Sequence, residues 1–172
     1  SKTLRREEFL KAPGSAGDPL RAVQNLPGVN RPQSFSSQVI IQGSGPQDTK
    51  YLLNDHNVPL VFHFGGLSSI LIPESVDRVE LFTAGYGPEY GRANGGLIGV
   101  WTRSPQKDRL HGMAFMDTIN AGVILEGPVG GGEHKGSFLI GARQSYIGVL
   151  LGAIAKNNDS FNLTVAPKYS DA

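Results

Sequence analysis

The chain has 172 residues, with 16 Lys and Arg against 15 Asp and Glu, a net charge of +1 and no cysteine. That balance excludes the basic stripe that marks a nucleic-acid partner, and without cysteine there is neither a disulfide framework nor a thiolate metal site. Glycine at 23 residues and proline at 11, with no collagen period, favour turns and strands over helices.

Residues 1–17 are polar and lack the apolar core of a signal peptide, so the chain is expected to be cytosolic or a processed or trimmed product. The same segment is expected to be poorly ordered, apart from a helical turn at Arg6–Lys11. A short helix follows from Asp18 to Leu26. Asp18 can cap it, Pro19 suits its first turn, and Leu20, Val23 and Leu26 form one apolar stripe before Pro27-Gly28 stops it. Val39–Gln42 and Lys50–Leu53 read as strands, with Asn54–Asn57 as a tight turn. Val58–Phe64 continues extended, Gly65–Ile72 is a loop or one-turn helix, and Pro73–Asp77 is a helical turn. Arg78–Phe82 and Leu97–Arg103 are strands flanking the glycine- and aromatic-rich run Gly85–Arg92. Residues 18–103 therefore read as an α+β unit.

After Ser104-Pro105 the texture changes. Leu110–Met116 and Ala121–Leu125 are short strands, and Glu126–Gly136 reads as a long flexible turn. In Ser137–Ile147, Phe138, Ile140, Ala142 and Tyr146 point one way; Ser137, Gly141, Arg143 and Ser145 point the other. Phe161–Val165 repeats the alternation. The apolar run Tyr146–Ala155 is too short for a spanning helix, which needs about 20 residues. Barrel strands of about 9–11 alternating residues remain open. The same alternation also suits half-buried strands of a soluble protein, so the pattern alone leaves both alternatives standing.

The remaining motifs are weak. His56 and His63 lie seven apart without a third ligand nearby and read as loop histidines, so no metal site is expected. Gly43-Ser44-Gly45 lacks the following helix of a dinucleotide site and reads as a turn. Gly130–Ser137 lacks the spacing of a phosphate loop, and no G-x-S-x-G elbow occurs. No catalytic residues, no enzyme activity and no cofactor are expected.

Five segments in order carry a resemblance. The helix ending in Leu26-Pro27-Gly28-Val29 is followed by Val39-Ile40-Ile41-Gln42-Gly43 and Tyr51-Leu52-Leu53-Asn54-Asp55. Then come Val76-Asp77-Arg78-Val79-Glu80-Leu81 and Tyr90-Gly91-Arg92-Ala93-Asn94-Gly95-Gly96-Leu97-Ile98 with Thr102-Arg103. Together, from residue 18 to about 104, they resemble the plug domain of TonB-dependent outer-membrane receptors. Gln42 stands where that family usually has Arg, and His56 replaces the Gly of its Asp-Gly turn. Thr83–Pro88 replaces its usual Arg-Gly-Pro, and no TonB box is recognisable before Asp18. Residues 109–172 resemble the first four strands of the family's barrel.

The resemblance implies a small mixed sheet with short helices, followed by antiparallel transmembrane β-barrel strands, with the barrel incomplete. The expected divisions are residues 1–17, a plug at 18–104 and barrel strands at 105–172. It implies a bacterial outer-membrane location and import of a scarce nutrient (a siderophore-like chelate, cobalamin, a sugar or a peptide), with the plug gating the barrel. Implied partners are the TonB–ExbB–ExbD energising complex, outer-membrane lipid, the rest of a barrel or partner chains, and an extracellular small ligand. Gln47, Phe62, His63 and Phe64 are the candidate ligand contacts. Arg78, Glu80, Arg92, Arg103 and Arg143 are candidates for ion pairs that latch plug to barrel. The alternatives are a receptor-like scaffold of an envelope complex without import, and a soluble β-rich binding domain.

Overall fold

The computed structural model of the chain describes residues 1–30, 39–63, 66–91, 93–131, 136–156 and 167–172. They divide into two units, Ser1–Arg103 and Ser104–Ala172. In chain order the first holds β1 (Lys2–Arg5), α1 (Arg6–Lys11), α2 (Pro19–Val23), β2 (Val29–Asn30), β3 (Ile40–Ile41), β4 (Thr49–Leu53), β5 (His56–Asn57), β6 (Phe62–His63), β7 (Ser68–Ser69), β8 (Val76–Phe82) and β9 (Gly96–Thr102). Single 3-10 turns at Pro46–Asp48, Pro73–Ser75 and Pro88–Tyr90 each begin with proline, whose fixed φ suits a first helical position.

Five strands form one sheet in the order β1-β8-β9-β4-β5. β4 runs parallel to β9 and the other neighbours are antiparallel, so the sheet is mixed. Alternation assigns its faces. Val79 and Leu81 of β8, Ile98 and Val100 of β9 and Tyr51 of β4 join Phe9, Leu20, Val23 and Ile41 in one buried cluster. The opposite face carries Arg78, Glu80, Gly99 and Trp101. Gly96 faces Ile41 so closely that an added Cβ would lie 2.6 Å from its side chain, so the close packing of these segments requires glycine there.

Two turns lie at the two departures from the pattern of the resembled family, Gln42 and His56. Between β4 and β5 the left-handed positions are Asn54 (φ +47°) and Asp55 (φ +67°), a two-residue connection of the primed type. His56 is already in the strand, so losing glycine there strains nothing. At the end of β3, Gln42 (φ +51°) and Gly43 (φ +76°) make a similar turn, closed by Ser44 N–H donating to the Ile41 carbonyl at 3.0 Å.

The second unit holds β10 (His111–Met116), β11 (Asn120–Val129), β12 (Gly136–Ser145), α3 (Ile147–Lys156) and β13 (Ser170–Asp171). The strands form an antiparallel sheet in sequence order. This is the expected succession, a mixed-sheet plug followed by antiparallel strands, and among the described residues those strands form an open sheet.

Several local expectations are corrected. Residues 1–17 are ordered: β1 is an edge strand on β8, and Phe9 of α1 is fully buried. One aromatic anchor holds a segment whose remaining residues are mostly polar and exposed. Within the stretch expected to be a loop or one-turn helix, Ser68–Ser69 are instead strand, paired with Phe62–His63. Glu126–Val129 is strand rather than flexible turn. Pro128 is tolerated because it lies beyond the end of β10, where a residue without a donor can sit. The apolar run after Tyr146 is helical. The expected strand Phe161–Val165 lies outside the described residues, and the fourth strand found is Ser170–Asp171.

Candidate functional site

On the charged face of the five-stranded sheet, Arg78 Nε donates to Glu80 at 2.8 Å, and Arg78 also pairs with Asp77 at 3.3 Å. The guanidinium lies 4.6 Å from the centre of the Trp101 ring. Arg78 and Trp101 are cross-strand partners, so register brings cation and ring together. Gly99 makes room, since a Cβ there would meet the Trp101 ring at 2.2 Å. The hydrogen bond that Arg78 donates to Glu80 is the main cause of an Arg78 pKa held above its ordinary value. Arg78 and Glu80 thus use much of their charge on each other, within one strand.

Arg103 anchors the end of the same unit. Its Nε donates to the Glu74 carbonyl at 2.8 Å and its backbone N–H to Ser75 at 2.9 Å. Arg92 lies outside the described residues.

The expected ligand contacts are dispersed. Gln47 is exposed and lines a cleft of about 410 Å³ with Thr49, Lys50, Tyr51, Asn57 and Pro59. Tyr51 forms its floor: burial pushes the phenol up to about 12, partly offset by a hydrogen bond from Val39 N–H at 3.2 Å. Phe62 is 3% exposed and belongs to the hydrophobic core, while its neighbour His63 is half-buried. Neither lines the Gln47 cleft. Phe64 lies outside the described residues. Among the described residues no cluster of His, Asp and Glu could hold a metal ion.

The second unit buries polar side chains, together with the apolar Ile124, on one face of its sheet and leaves apolar ones exposed on the other. On one face of its sheet Asn120, Glu126, Arg143 and Ser145 are buried. On the other, Met116, Val123, Leu125 and Ile140 are exposed, Ile140 at 63%. A soluble sheet would bury the second set and expose the first. Arg143, on the small and polar side of β12, is 4% exposed. Its Nε donates to Asp171 at 3.0 Å, and its guanidinium lies 6.0 Å from the Tyr169 ring. The Tyr169 hydroxyl donates to Asn120 at 2.8 Å, and Asn120 donates to the Asp117 carboxylate at 3.0 Å. Sequence reasoning found Arg143 through strand parity but missed Asp171 and Tyr169, because it placed the next strand at Phe161–Val165 and stopped there. Trp101 was missed too, although a glycine two residues before a lone tryptophan on a strand is a usable sign of a ring lying along the backbone.

Comparison with known proteins is consistent with this arrangement. A family model described as the TonB-dependent Receptor Plug Domain matches residues 2–97. A curated relative, the TonB-dependent transporter Oar of Myxococcus xanthus, is 30% identical over 180 residues, covering 95% of this chain and 16% of the relative. The siderophore receptor PirA from Acinetobacter baumannii superposes with a TM-score of 0.57 at 19% identity, covering 84% of this chain and 24% of that one. The ferric yersiniabactin uptake receptor FyuA from Yersinia pestis gives 0.56 at 20% identity, covering 84% and 23% respectively. The likeness to the two solved structures is one of fold. The chain spans under a quarter of the length of each of these three relatives.

Proposed function

The chain belongs to the TonB-dependent receptor plug family, and from that premise we propose that the whole protein is a TonB-coupled importer. Members of the family are outer-membrane proteins. In this reading the plug runs to about Ser104 and gates a barrel whose wall begins in the strands after it. A scarce nutrient binds from outside, energy arrives through TonB–ExbB–ExbD, and the plug rearranges without covalent chemistry.

The observation that carries the reading is the pairing of a mixed-sheet plug with an inside-out sheet. The exposed Val123, Leu125 and Ile140 make sense against lipid, and the buried Arg143–Asp171 pair makes sense on the lumen side of a wall. Gln47 and His63, with Phe64, are the proposed ligand contacts from the plug. Arg92 and Arg103 are the proposed latch, because partly hydrated ion pairs orient a domain without fixing it irreversibly.

The test is growth of a deletion strain on limiting ferric chelates, cobalamin, sugars and peptides, each supplied separately. The expected result is loss of use of one class, restored by the full gene in cells with TonB and not in cells without it. Undiminished growth on every class, with the protein absent from the outer-membrane fraction, would remove the proposal.

A further inference from the structure

We propose that α3 is an interfacial helix that lies flat on the lipid surface where the apolar face of the strand sheet ends. The inference rests on reading the second unit as part of a barrel wall. Strand β12 ends at Ser145, and α3 starts two residues later. The junction is fastened to the β10–β11 turn. Tyr146 N–H donates to the Ile119 carbonyl at 2.9 Å, Ser145 Oγ donates to the same carbonyl at 3.1 Å, and the Tyr146 hydroxyl donates to the Asp117 carbonyl. The helix therefore leaves from the end of the sheet, at the level where a membrane strand emerges.

Composition then selects the occupant. From Ile147 to Ala155 the helix has no charged or polar side chain. Ile147 is buried, while Val149 is 74% exposed, Leu150 is 40% exposed, and Ala153 is exposed one turn after Val149. A helix of ten residues is about 15 Å long, too short to cross a bilayer but suited to lying along its surface.

The exposed faces of sheet and helix adjoin at the polar Gln144. Gln144, on the same face of β12 as Ile140, lines a groove of about 550 Å³ together with Tyr146, Val149 and the exposed Lys168. A groove of mixed lining that joins Val149 and Pro167 to Gln144, Tyr146 and Lys168 suits the water–lipid boundary, where rings settle and ammonium groups reach headgroups. In this proposal the lipid surface that accepts Ile140 reaches past Gln144 to Val149.

The test places a nitroxide at Val149→Cys, Ala153→Cys or, separately, Ile140→Cys of the full receptor in phosphatidylethanolamine/phosphatidylglycerol vesicles. Collision with dissolved oxygen is compared with collision with a water-soluble nickel chelate. All three labels are expected to favour oxygen severalfold, with Val149 and Ala153 shallower than Ile140. If Ile140 favours oxygen while Val149 and Ala153 favour the nickel chelate, or are shielded from both reagents, the helix is not on lipid and the inference is overturned while the barrel reading stands. If Ile140 itself favours the nickel chelate, the barrel reading fails and the inference with it.

Discussion

Asp18 meets backbone donors from two distant parts of the chain. Its Oδ1 accepts from Leu20 and Arg21 at 2.9 and 3.1 Å, capping α2, and its Oδ2 accepts from Ser69 at 2.7 Å. Asp18→Ala removes the cap and leaves the buried Ser69 N–H without this acceptor. The expected loss is about 2–4 kcal/mol from cap and charge-assisted bonds together. It would appear in urea denaturation as a lower midpoint with an unchanged slope; an unchanged midpoint would show that the carboxylate is dispensable. The cap was legible in the sequence, because it depends on neighbours two and three residues away. The bond to Ser69 spans 51 residues and has no local signature.

Tyr51 gives a pH prediction. Its folded pKa, about 12 against an ordinary value of 10.0, is raised, so the folded state holds the phenolic proton more tightly. Its stabilising contribution is complete below about pH 10 and is lost as pH rises toward 12. The loss is at most on the order of 2–3 kcal/mol. Tyr51→Phe is expected to flatten the alkaline fall in stability between those limits. An identical fall in both proteins would assign it to other groups. Phe62 and His63 show what residue-level reading misses: adjacent residues of one strand face opposite ways, and their pairing with Ser68–Ser69 sends Phe62 into the core.

Among the elements, β8 and β9 were the most legible. From Arg78 to Leu81 of β8 charged and buried apolar residues alternate as parity predicts, whereas β9 is buried on both faces from Gly96 to Val100. β1 was not legible, because an edge strand needs few apolar residues and its four are mostly polar. The last part of β11 was hidden by Pro128 and its glycines, which imitate a turn. Gly99→Ala tests the packing across β8 and β9. Its Cβ would collide with Trp101, displacing the ring from Arg78, and overpacking of this kind typically costs about 1–3 kcal/mol. Hydrogen exchange should show faster exchange along β8–β9 but not along β10–β12. Wild-type protection would mean that Trp101 moves aside freely.

In the second unit the pair Arg143–Asp171 makes a sharper demand. The Asp171 side chain is 11% exposed, so Arg143→Ala strands a largely buried carboxylate, at about 3–5 kcal/mol. Arg143→Ala with Asp171→Ala should recover much of that loss, as read by thermal unfolding in detergent. Equal stability of the single and double variants would mean that the two charges are not coupled.

For the whole molecule, strand periodicity did not distinguish membrane wall from soluble sheet, because alternation is common to both. The distinction lies in which face is covered, and Ile140 exposed beside Arg143 buried is a property of the fold rather than of the pattern. The proposed latch belongs at this scale. Arg92→Ala with Arg103→Ala in the full receptor should weaken plug protection in hydrogen exchange and change uptake; if both remain at wild-type levels, these cations do not hold the plug.

The proposed function of the whole protein is energised import. Its most direct test is cellular accumulation of the compound that the deletion strain fails to use, measured with and without a protonophore in cells carrying the full gene. The protonophore is expected to abolish accumulation while surface binding persists. Accumulation that continues undiminished when the proton gradient is collapsed would contradict energised import.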